Sequence, residues 1–66
     1  MSKRIGQMLQ RLRTEKKLTQ IQLAKRAKVS QSYVTQLERG GKANPNLAVL
    51  TRIAKALKVN VKDLLP

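Results

Sequence analysis

The chain has 66 residues, and 15 Lys and Arg against 3 acidic residues leave it with a net charge of +12 at pH 7. It contains no Cys and no His, which excludes disulfides, thiolate metal sites, Cys or His nucleophiles and imidazole general bases. Glu15, Glu38 and Asp63 lie far apart along the chain and each has a structural role open to it, so the expectation is a protein that is not an enzyme and holds no metal or other cofactor.

A chain of this length is expected to form one small domain over residues 1–66, burying about 60% of the surface its unfolded form exposes. Ile5, Met8, Leu9 and Leu12 fall on one helical face, with Ser2 available as a cap, which predicts a first helix over residues 3–16. Thr19 followed by Gln22 is a T-x-x-Q capping box that opens a second helix over 20–27, with Leu23, Ala24 and Ala27 turned inward. Lys28 and Val29 interrupt the pattern. Ser30 can then cap a third helix over 31–38, whose inner face is Val34 and Leu37 and which Gly40 and Gly41 end.

Residues 42–46 read as a loop, because the position before Pro45 is disfavoured in helix and Asn is a turn former. Asn46 caps a fourth helix over 47–57 carrying Val49, Leu50, Ile53, Ala54 and Leu57, and Asn60 with Asp63 opens a last short helix over 61–65. No strand alternation or internal repeat interrupts this series, so the fold class is all-α, a compact five-helix domain.

The charge points to an anionic partner, with nucleic acid ahead of a membrane surface. No apolar run approaches the roughly 18 residues of a membrane span, and the stretch from Met1 to Leu12 lacks the continuous apolar block of a signal peptide. The expected location is the cytoplasm, with which the lack of Cys agrees.

Two short helices opened by hydroxyl residues and joined by a turn of three or four residues are what a helix-turn-helix requires. The chain resembles the phage-repressor and Cro-like family of such proteins, also called the XRE family, over nearly its whole length from Ile5 to Leu65. The resemblance rests on L-T-Q-x-x-L-A at 18–24, V-S at 29–30 and V-T-Q-L-E-R-G at 34–40, continued by Asn44-Pro45 and I-A-K-A-L-K-V at 53–59. It implies a lambda-repressor-like DNA-binding domain in which Ala24 stays small so that the two helices can cross closely. One position departs: Lys28 stands where the family commonly has Gly, so either Lys28 takes a left-handed backbone at about 1 kcal/mol or the turn differs.

The resemblance further implies that the helix over 31–38 enters the major groove. Gln31, Ser32, Thr35 and Gln36 are then the base-contacting residues; Gln pairs with adenine, and Ser or Thr accepts, donates or touches a thymine methyl. Phosphate contacts fall to Gln20 and Ser30 at the two helix starts, to Tyr33, and to Arg39, Lys42, Asn44 and Asn46 around the following loop. Ser30 also caps its helix, and Tyr33 either donates to phosphate or packs at the rim of the core. Some relatives carry at position 46 an Arg that probes the minor groove; Asn46 replaces it here and also caps the fourth helix. Arg13 and Glu38 occupy the positions of a structural ion pair.

One recognition helix covers half an operator, so a homodimer on an inverted repeat is expected. Val61, Leu65 and Pro66 are the candidate interface, with Val59 and Leu64 completing the core; the alternative is that all five cover the core of a monomer. The expected partner is double-stranded DNA, with no membrane and no small-molecule ligand, and the role is that of a transcriptional regulator, most simply a repressor. Controller proteins of restriction-modification systems and antitoxins are alternative roles. Two other classes are a basic membrane-surface peptide and a nonspecific architectural nucleic-acid binder; Tyr33 as the sole aromatic offers no stacking platform for single strands.

Overall fold

The computed structural model describes residues 2–40 and 45–65. Among them are four α-helices, α1 (Ser2–Glu15), α2 (Gln20–Ala27), α3 (Gln31–Arg39) and α4 (Leu47–Leu57), and a 3-10 turn at Val61–Asp63. The bounds of α2 and α4 are those the sequence predicts. Helix α1 begins and ends one residue early, with Ser2 as a helical residue instead of the cap, and α3 extends one residue to Arg39. The fifth helix expected over 61–65 is corrected to the single 3-10 turn. The Asn60 amide donates to Asp63 Oδ2 at 3.1 Å, which closes the turn locally, and Pro66 in the sequence disfavours helix at Leu65.

The helix starts are set by side chains accepting from amides that lack an intrahelical partner. Thr19 Oγ1 accepts from the Gln22 amide at 3.0 Å while Gln22 Oε1 accepts from the Thr19 amide at 2.9 Å, completing the capping box. Ser30 Oγ accepts from the Tyr33 amide at 3.0 Å, and Asn46 Oδ1 from the Val49 amide at 2.9 Å.

Three helices close on a lysine. Lys17, Lys28 and Lys58 all have φ of 59°, in the left-handed region, so Lys28 adopts the backbone that Gly would take with less strain. In each case the next residue is apolar and folds back: the amides of Leu18, Val29 and Val59 donate to the carbonyls of Arg13, Ala24 and Ala54 at 3.1, 3.0 and 3.0 Å. This is the six-residue C-terminal closure whose apolar residue seals the helix end.

Helix α1 packs on α3, α3 on α2, α2 on α4, and the 3-10 turn on α4. The core they enclose contains Ile5, Leu9, Leu18, Leu23, Val34, Leu37, Leu50, Ile53, Leu57 and Leu64 with Ala24, Ala27 and Ala54. Ala24 is 4% exposed, as a close α2–α3 crossing requires. The α1–α3 crossing is close as well: a Cβ built on Gly6 would stand 1.9 Å from the Leu37 carbonyl oxygen.

Candidate nucleic-acid interface

Val34 and Leu37 are fully buried, and this fixes which side of α3 faces outward. Gln31, Ser32 and Gln36 are exposed, and Thr35 is half-buried. With Arg39 these four line one shallow cleft along the helix. The structure thus brings the four expected base-contacting residues onto a single surface.

Behind that surface, a polar network joins three helices. Arg13 on α1 donates Nε to Glu38 Oε2 at 2.6 Å and Nη2 to Glu38 Oε1 at 3.1 Å, while its Nη1 donates to the Leu18 carbonyl at 2.7 Å. The Arg13 and Glu38 side chains are 14% and 4% exposed, so the pair is largely shielded from solvent. Gln20 on α2 donates Nε2 to Glu38 Oε1 at 3.0 Å, and Thr35 on α3 donates Oγ1 to Gln20 Oε1 at 2.7 Å. Charge-assisted, two-pronged pairing of this kind fixes geometry as well as contributing energy.

A second cleft lies at the start of α2, lined among others by Lys17, Thr19, Gln20, Ile21 and Gln31. The capping box satisfies the Gln22 amide, and the amides of Gln20 and Ile21 remain as the first donors of the helix without an intrahelical partner. Gln20 was expected at a phosphate through both its side chain and these amides; its carboxamide is engaged with Thr35 and Glu38, which leaves the backbone amides for that role.

Ser30 and Asn46 use an oxygen for capping, so the Ser30 hydroxyl proton and the Asn46 Nδ2 donors are left for other partners. The Tyr33 ring packs against the core and is half-buried. Burial pushes its hydroxyl above the ordinary value of 10.0, with the nearby Arg52 guanidinium opposing the shift, so at neutral pH the group is a donor. Arg39 is exposed at the end of α3. Lys42 and Asn44 lie outside the described residues, as does Pro66. At the C-terminal end, Val59 and Val61 are half-buried against the core, Leu64 is buried, and Leu65 is 42% exposed.

Two contributors escaped the sequence reading. Arg52 on α4 donates Nε to the Ala27 carbonyl at 3.2 Å and Nη2 to the Lys28 carbonyl at 3.3 Å, bracing the end of α2 where the turn to α3 begins. The other is the inward tie of Gln20. Neither had a signal, because each bond joins residues at least 15 apart.

The sequence pattern described as helix-turn-helix matches residues 9–64. The chain belongs to this helix-turn-helix family, of the XRE or Cro/C1 type. The immunity repressor protein of Bacillus phage phi105 is 44% identical over 57 residues, which cover 86% of this chain and 39% of the repressor. SinR of Bacillus subtilis is 36% identical over 61 residues, 92% of this chain and 55% of SinR. The crystal structure of SinR in complex with DNA matches with a TM-score of 0.88 at 35% identity, over 94% of this chain and 98% of that one. The restriction-modification controller protein C.AhdI from Aeromonas hydrophila matches with a TM-score of 0.92 at 36% identity, over 97% and 96% of the two chains. The chain thus spans about two fifths of the phage repressor's length and just over half of SinR's. No helix among the described residues is long and apolar enough to cross a membrane.

Proposed function

We propose that the protein is a sequence-specific DNA-binding transcriptional regulator, a repressor that occupies an inverted-repeat operator as a dimer. The observation that carries this reading is the outward face of α3, where Gln31, Ser32, Thr35 and Gln36 share one cleft on a helix braced from behind by the Arg13, Glu38 and Gln20 network. Polar side chains able to pair with base edges, on a helix narrow enough for the major groove, match direct readout. Gln20 through its backbone amide, together with Ser30, Tyr33, Arg39, Lys42, Asn44 and Asn46, would contact phosphates, setting register and affinity. SinR is known in complex with DNA, which supports duplex DNA as the ligand.

The dimer would use Val61, Leu65 and Pro66, placing two copies of α3 one helical turn of DNA apart, about 34 Å. The likeness to C.AhdI, with a TM-score of 0.92 at 36% identity, supports as a second reading within the same mechanism a controller protein of a restriction-modification system. Selection of bound sequences from a random duplex library tests the main reading. An enriched inverted repeat supports it; even retention of all sequences would show a nonspecific binder and remove the assignments on α3.

A further inference from the structure

The polarity of Thr35 is fixed before any DNA arrives, and a carboxylate that it does not touch fixes it. An ionised carboxylate only accepts hydrogen bonds, and Glu38, gripped by Arg13 at 2.6 and 3.1 Å, has no proton to give. The end of the Gln20 carboxamide that meets Glu38 Oε1 at 3.0 Å must therefore be its NH2 group. The opposite end, facing Thr35, is then the carbonyl oxygen, and the 2.7 Å contact uses up the single proton of the Thr35 hydroxyl. What Thr35 has left is acceptor lone pairs and a methyl group.

We infer that Glu38 and Gln20 are positioning residues for specificity, which hold Thr35 as an acceptor-only reader selecting a base with an exocyclic amino group, adenine N6 or cytosine N4. This rests on the reading of α3 as the major-groove helix. Gln31 and Gln36 are exposed, and a free carboxamide can turn either end to a base. Thr35 cannot: facing guanine O6 or thymine O4, its hydroxyl would have to break the bond to Gln20 to donate.

The test compares the wild type with Thr35→Val and Gln20→Leu by selection from a random duplex library. The position where Thr35→Val loses its preference identifies the base that Thr35 reads. On the selected duplex, deleting the amino group there, with purine for adenine or pyrimidinone for cytosine, should weaken wild-type binding roughly tenfold and leave Thr35→Val unaffected. Gln20→Leu, whose folding is checked by thermal melting, should lose the preference at that position alone. A residue that serves only the fold or a phosphate would weaken all sequences alike and move no base preference. The inference is overturned if the sensitivity follows loss of a base acceptor or of a thymine methyl, or if Thr35→Val changes no position, or if folded Gln20→Leu keeps the wild-type preference. Should the wild type enrich no sequence at all, the failure belongs to the DNA-reading assignment itself.

Discussion

A single methyl group at Gly6 would collide with a backbone oxygen, Leu37 O, at 1.9 Å. No rotamer change relieves such a contact; α1 and α3 have to move apart. Gly6→Ala is therefore expected to destabilise the fold by about 3 kcal/mol, at the upper end of overpacking costs, and urea unfolding would measure it. A midpoint equal to that of the parent would mean that the two helices are not in backbone contact. At the outward face the same scale decides recognition. Gln36 is exposed, so Gln36→Ala should leave melting unchanged and weaken binding to the selected operator by about 1 to 3 kcal/mol. That loss should be confined to particular base pairs, and a uniform loss on every duplex would remove Gln36 from the readers.

Local chemistry sets the ends of the elements. The capping box of Thr19 and Gln22 and the caps Ser30 and Asn46 were legible because each bond spans three residues. The helix ends were legible in part. Gly40 announced one, at φ of 72°, and the family resemblance raised a left-handed backbone at Lys28 as one of two alternatives, but Lys17 and Lys58 are ordinary helix formers by composition; all three left-handed backbones go with the apolar residue after each that is drawn back to the core. Lys28→Gly removes that strain and should stabilise the protein by about 1 kcal/mol, seen as a rise in Tm of about 4 to 8 °C for a domain of this size. A fall in Tm would mean that Lys28 makes compensating contacts. The last element shows the converse: Asn60 and Asp63 correctly mark a start, but three residues of 3-10 turn satisfy that start without a helix following.

Across the whole molecule, the +12 charge and the shaped surface of α3 act at different ranges. Charge draws in any polyanion and releases its counterions, so affinity should fall steeply with salt whatever the sequence. Arg39, exposed at the edge of the α3 cleft, belongs to this part as well as to the site. Arg39→Ala is expected to weaken binding evenly across duplexes and to lower the slope of log K against log salt by about 1; fluorescence anisotropy titrations at several salt concentrations would show it, and an unchanged slope would exclude a phosphate contact.

The sequence by itself determined the four helices, most of their starts and the polar face of α3, because periodicity and capping act between residues one to four positions apart. It also placed Arg13 opposite Glu38, although only through the family resemblance. The tertiary structure alone decided the approach of Gly6 to Leu37, the bracing of α2 by Arg52 and the bonds that lead from Glu38 through Gln20 to Thr35. Those contacts join residues 15 to 31 positions apart. No pattern in a one-dimensional string encodes them; they exist because close packing of the helices puts those groups within bonding distance.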